Sequence, residues 1–419
     1  MKKIVSGLLA FIVVVSLTAI FLKARKDRTT ESLAHDSLAT RVTTLSSRST
    51  LALVKAGDKF GFIDRTGTYV INPQFEAAEV FMEELALVKT GDKWGYIDNG
   101  GKYAINPQFD QALPFFQGAA PVEIAKKWGF IDKAGKYLIN PQFENAGPFL
   151  SDTAVVELGT KWGYVDRSGN YVINPQFNEA LPFVRNNRMT AVKVGDKWGY
   201  IDKAGKYMIN PQFDDAGPFR RGYAPVKTGN KWGCINEEGK LVINPQFDEA
   251  LNCGEDRIPA KSGMEWGYLD KEGNNAIDPQ FDDAHSFGGN LARVRLGSKM
   301  GFIDMNGKYA INPQFDDALP FFDNGITPVK KKDKWGYIDK TGKYVIASQF
   351  DACSTFYKGS ASVRVGDKWG YIDLNGKYII NPQFDQALPF FEGVTSTREK
   401  TTVYGMIPPD FDEVWRISE

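Results

Sequence analysis

A Trp-Gly pair, or a close equivalent, recurs along this chain at a nearly fixed interval, and that period constrains the fold more than any other feature. It stands at Phe60-Gly61, Trp94-Gly95, Trp128-Gly129, Trp162-Gly163 and Trp198-Gly199. It continues at Trp232-Gly233, Trp266-Gly267, Met300-Gly301, Trp335-Gly336 and Trp369-Gly370. Successive spacings are 34, 34, 34, 36, 34, 34, 34, 35 and 34 residues. A period held over nine intervals marks a repeat architecture, so the 419 residues form one long body and not the two or three domains that length alone suggests.

One clean copy shows the unit. Leu85-Ala-Leu-Val-Lys reads as a strand, Thr90-Gly91-Asp92-Lys93 as a turn, and Trp94-Gly-Tyr-Ile-Asp as a second strand. A second turn follows at Asp98-Asn-Gly-Gly101; Tyr103-Ala-Ile-Asn then starts a third strand, which Pro107-Gln-Phe-Asp closes. Short apolar and aromatic runs punctuated by Gly, Asp and Asn are the hairpin signature, and Asp-x-x-Gly suits a type I turn. No stretch after Leu22 carries a helical period; the block Phe109–Phe115 is short and broken by Pro114. A unit this small cannot bury enough apolar surface to offset the entropy of ordering its chain, so neighbouring copies must share a core.

The first 49 residues are different. Lys2 and Lys3 precede an apolar run from Ile4 to Leu22, and Lys23, Arg25, Lys26 and Arg28 follow it. As a helix this run spans about 28 Å, the thickness of a bilayer core, and its thirteen Ile, Val, Leu and Phe contribute roughly 4–8 kcal/mol to insertion. No A-x-A-like site stands between Ser16 and Ala24, so an uncleaved anchor over 1–22 is preferred to a cleaved signal that would release a secreted body. Export of the body is expected, although the basic cluster after the span argues the other way. Residues 23–49 are polar, rich in Ser and Thr, and read as a flexible linker in which His35 is solvated. Ten repeats occupy 50–402. Residues 403–419 read as a shortened capping repeat, because Tyr404-Gly405 and Pro409-Asp-Phe-Asp412 echo the unit with one hairpin tip missing.

Three arrangements compete for an all-β chain of tandem three-strand repeats that follows a membrane helix. A parallel β-helix would stack Lys93, Lys127, Lys161 and Lys197 as a like-charge ladder and bury a Pro in a paired sheet. A β-propeller of ten blades would exceed the usual four to eight, and its blades usually have four strands. An open superhelical array of β-hairpins or small sheets avoids both objections and is the expected fold, with the propeller as the alternative.

Trp-Gly-Tyr-Ile-Asp, then Gly-Lys, then Tyr-x-Ile-Asn-Pro-Gln-Phe-Asp resembles the WG-repeat family of bacterial proteins over residues 50–419. The departures are Phe60 and Met300 in the Trp slot, Asp278 for Asn, and Ala347-Ser348 for Asn-Pro. The resemblance implies a bacterial source and an envelope location.

The recurrent residues suit structure better than chemistry. Trp94, Trp128, Trp162, Trp198, Trp232, Trp266, Trp335 and Trp369 are expected to anchor the core, since Phe and Met replace Trp twice; stacking on a sugar is the rival role. The recurrent Asp, as at Asp98, reads as a turn former and not as a cation ladder. Gln of the Pro-Gln-Phe motif is expected to bond backbone. Cys234, Cys253 and Cys353 occupy a Tyr, a Phe and an Ala slot, which predicts buried free thiols. His285 takes a Leu slot with no acid or nucleophile at a telling spacing. No catalytic order, phosphate loop, metal motif or cofactor site is present. Lys plus Arg balances Asp plus Glu at 51 each, which leaves no field to draw nucleic acid. A local site, if there is one, should lie where the repeat breaks, at Arg185-Asn-Asn-Arg188 or between Asn252 and Arg257, which makes Arg185, Arg188 and Arg257 the candidates. The expected function is non-enzymatic binding or scaffolding of protein partners along the array at the cell envelope. Binding of cell-wall glycan by exposed aromatics is the alternative.

Overall fold

The computed structural model describes residues 50–184, 187–249, 253–322 and 325–390. The anchor, the linker and the capping repeat expected at 1–22, 23–49 and 403–419 lie outside the described residues. Among the described residues no helix is long and apolar enough to cross a membrane.

Each repeat folds as the sequence suggests up to its end, with three antiparallel strands such as Ala86–Thr90, Lys93–Ile97 and Tyr103–Phe109. The chain then makes a one-residue link at Asp110 and starts a two-residue strand, Gln111–Ala112, which pairs with Ala119–Ile124 of the following repeat. Among the described residues nine of the ten repeats thus donate the first strand of the next sheet, and nine sheets have four strands. Blade 7, whose first-strand slot borders residues 250–252, shows three among the described residues.

The last donated strand decides the architecture. Gln386–Ala387 pairs with Ala52–Ala56, by Val54↔Ala387 and Lys55↔Gln386. The tenth repeat therefore completes the first sheet, and the array closes into a ten-bladed β-propeller. Blade 1 takes Gln386–Ala387 as its first strand, and blades 2 to 10 follow in chain order. This corrects the expectation of an open superhelix. The unit looked three-stranded because its fourth strand is only two residues long and belongs to the next repeat. Blade number is set by the turn between neighbouring sheets, which no single repeat specifies.

The core lies between blades. Tyr96, Ile105 and Phe109 of blade 2 pack on Phe115, Ala120, Val122 and Ile131 of blade 3, and one cluster joins Trp369, Tyr371 and Phe384 to Leu53, Phe62 and Ile71 across the closure. The glycine after each Trp has a steric cause. A Cβ on Gly95 would lie 2.7 Å from the Ile105 carbonyl oxygen and 2.7 Å from the Pro107 nitrogen, because the fourth strand bulges across it. The turn glycine Gly101, at φ 81°, packs instead on Ile71 of the preceding blade. The recurrent Pro sits in that bulge on an edge strand, where no ladder donor is required and where it discourages edge-to-edge pairing.

Candidate functional site

The strands alternate in direction, so the connections fall on two faces of the ring. One face carries the second-to-third hairpins and the one-residue links between blades. The other carries the first-to-second loops and the third-to-fourth hairpins.

On the hairpin face the link residue joins neighbouring blades. Asp214 accepts from Lys197 Nζ at 2.6 Å and, through its other oxygen, from the Gly229 amide of the next hairpin at 2.7 Å. Equivalent Lys–acid pairs form at Lys59–Glu76, Lys93–Asp110, Lys127–Glu144, Lys231–Asp248, Lys299–Asp316, Lys334–Asp351 and Lys368–Asp385. Asp385 also accepts from the Gly57 amide and so repeats the contact across the closure. The bonded lysine holds each of these carboxyls below the usual range. Unit 7 departs from the pattern, with Glu265 in the Lys slot and Met264 at its tip 89% exposed.

The recurrent tryptophans divide. Trp162, Trp198, Trp335 and Trp369 are buried, and Trp94, Trp128, Trp232 and Trp266 are half-buried. Each faces a Phe of the bulged strand, as Trp94 does Phe109. A cation covers several of the rings, as Lys89 does Trp94 at 5.9 Å. The recurrent Asp closes its turn: Asp98 Oδ1 accepts from the Gly100 and Lys102 amides. Gln108 donates to the Asn106 carbonyl at 3.3 Å. These side chains are absorbed into the blade. The more open aromatics are tyrosines at the start of the fourth strands, including Tyr69, Tyr171, Tyr207 and Tyr378 at 37–38% exposure.

The loop face carries the irregular residues. Arg185 lies outside the described residues. Asn187 donates to the Phe219 carbonyl at 2.7 Å, and Arg188, 75% exposed at its side chain, stands 3.8 Å from Glu237. Arg257 donates to the Met305 carbonyl at 3.0 Å and to the Asp256 carbonyl at 2.8 Å. Arg188 and Arg257 belong to loops of blades 5 and 7, with the Arg220-Arg221 loop of blade 6 between them, so they do not converge on one point. Arg188 instead borders an open groove of about 900 Å³, lined also by Gln117, Asp152, Asn187, Asp202 and Lys203. Gln117, Asp152 and Lys203 were not legible as a set, because they come from three different repeats.

Blade 8 holds a second polar group. Arg293 stands where blade 2 has Leu87, and it donates to His285 Nε2 at 2.6 Å and to the Ala318 carbonyl of blade 9. Arg295 donates to Asp283 at 3.0 Å. Burial, and then the Arg293 charge, push the His285 pKa down, so the imidazole is neutral and accepts from Arg293. This cluster ties two blades together. No three His, Cys, Asp or Glu among the described residues converge as metal ligands would.

The cysteines correct the expectation of three free thiols. Cys234 and Cys253 form a disulfide, and Cys353 is buried as a thiol.

A family model described as "WG containing repeat" matches ten consecutive segments: 60–94, 94–128, 128–162, 162–198, 198–232, 232–263, 266–299, 300–335, 335–369 and 369–399. No curated protein matches. Among solved structures, the crystal structure of a eukaryotic initiation factor is similar at 12% identity and a TM-score of 0.50, covering 82% of this chain and 99% of that one. Dihydro-heme d1 dehydrogenase NirN, at 14% identity and 0.36, covers 87% of this chain and 78% of its own. Hsv2 of Kluyvelomyces marxianus, at 11% and 0.31, covers 66% and 96%. At these identities the first likeness speaks to the fold alone, and the other two are too distant to carry an argument.

Proposed function

We propose, from the premise that this chain belongs to the WG containing repeat family, that it is a non-enzymatic binding scaffold displayed at the bacterial cell envelope. Protein partners would dock on the loop face. The observation that carries this is a division of labour. The recurrent Trp, Tyr, Lys and Asp are engaged in blade structure, whereas Arg188, Asp152 and Lys203 border an open groove where the repeat is irregular. A rigid ring that holds variable loops is a common design for recognition. The test is a pull-down with the full chain against Arg188→Glu combined with Lys203→Glu. A reproducible partner whose recovery falls about tenfold or more in the variant supports the reading, by analogy with the loss of a hot-spot pair; recovery unchanged by both charge reversals defeats it.

The one-third-exposed tyrosines favour a second reading, binding of cell-wall glycan by aromatic stacking. Co-sedimentation with purified peptidoglycan that disappears in Tyr171→Ala and Tyr207→Ala supports it. Absence of co-sedimentation removes it.

A further inference from the structure

Nine of the ten units share a contact that joins one blade to the next. An aromatic on the third strand meets a Phe placed 19 residues later, in the first loop of the following blade. The pairs run from Phe62–Phe81, Tyr96–Phe115 and Phe130–Phe149 to Tyr337–Phe356 and Tyr371–Phe390, with ring centroids 4.7–5.1 Å apart. In the remaining unit both slots hold cysteine. Cys234 and Cys253, also 19 residues apart, are bonded to each other and nearly inaccessible to solvent.

The two solutions are not equivalent. Two aromatic rings fill the space between sheets and hold it by buried area. Two thiols fill far less of that space, so without the covalent bond this junction loses both its packing and its tie. The loop pinned by Cys253 also touches the blades on either side of it. A Cβ on Gly254 would lie 2.7 Å from the Arg220 carbonyl oxygen of the blade 6 loop. Glu255 bonds Ser286 of the blade 8 loop, Asp256 pairs with Lys271 at 2.5 Å, and Arg257 reaches the blade 8 hairpin. One short segment therefore bridges three blades.

We propose that the Cys234–Cys253 bond is a redox-dependent clamp between blades 6 and 7, which completes the ring only where an external disulfide has oxidised the pair. The two thiols give two protons and two electrons to that disulfide, which leaves as two thiols. A thiol reductant reverses the exchange and releases the loop that presents Arg257. Because both sulfurs are buried, attack requires the loop to open first, so reduction of the folded ring is slow. The clamp suits an exported body, whose surroundings keep disulfides oxidised, and it holds whether or not the loop face binds a partner.

The experiment uses the purified full chain equilibrated with oxidised glutathione, beside the same protein treated with dithiothreitol. Under denaturing conditions the oxidised chain should titrate one thiol, Cys353, and the reduced chain three. Reduction should lower Tm by several degrees and speed proteolysis within 253–257 about tenfold or more. Restoring the aromatic pair, Cys234→Tyr with Cys253→Phe, should abolish the response to reductant while preserving Tm. Cys234→Ala with Cys253→Ala should match the reduced wild type, which keeps the test decisive if the aromatic variant fails to fold. Three titrating thiols after oxidation, or a wild-type Tm and cleavage rate indifferent to reductant, overturns the proposal.

Discussion

At the scale of single residues, the repeat is specified by a few positions whose neighbours leave no alternative. Gly95 is one, because backbone crosses where its Cβ would stand. Gly95→Ala is expected to cost about 1–3 kcal/mol, as overpacking against atoms that cannot swing aside does, and denaturant titration measures it. A gain in stability would mean that the bulge gives way easily. Tyr200 is another: buried against Phe219, it donates its hydroxyl to the Gly217 carbonyl of the next blade at 2.9 Å. Tyr200→Phe keeps the ring and orphans the carbonyl, for an expected loss of about 1–3 kcal/mol. Hydrogen exchange at the blade 5–6 junction should report that loss locally. The turn role of Asp was legible in the sequence, because it follows from backbone geometry. The partner of each tyrosine was not, since it lies in the next blade.

At the scale of the element, the blade is an exchange between repeats. Among the described residues nine units give two residues of strand to the next sheet, and eight fasten the join with a Lys–acid pair. The eight paired carboxyls are depressed by their lysines, so each contributes stability that is present above the unfolded carboxyl pKa and lost as pH falls through the folded one. Burial raises Glu123, Asp215 and Glu255, which act in the opposite sense but are fewer. Melting temperature should therefore fall between about pH 5 and about pH 3, and added salt should shrink the difference because the pairs are half-exposed. A flat profile across that range would show that the pairs do not fasten the blades. The Lys slot and the acid slot, 17 residues apart, were both visible in the sequence. That they meet required knowing that the fourth strand returns beside the third and then bends at its bulge.

At the scale of the whole molecule, closure replaces two exposed ends with one more blade junction. Gln386 and Ala387 make that junction by pairing with Lys55 and Val54, and Phe390 packs on Tyr371 at 4.7 Å. Truncation before Asp385 removes the pairing, the Asp385 bond to Gly57 and the Phe390 contact together. A ring so cut should melt at lower temperature and show a larger radius of gyration in solution scattering. An unchanged radius would mean that the nine other junctions hold the curvature by themselves. The sequence by itself determined the period, the three long strands of each unit, their turns and the dependence of each copy on its neighbours, because all of these follow from local pattern and from the small size of the unit. Only the tertiary structure decided the ring, the donated strand and the pairing of Cys234 with Cys253. Closure is the sum of ten small rotations set by packing between sheets, and a strand of two residues carries too little local signal to announce itself. The 19-residue separation of the two cysteines was on view, but it acquires meaning only once the aromatic pairs of the other nine units are seen to touch.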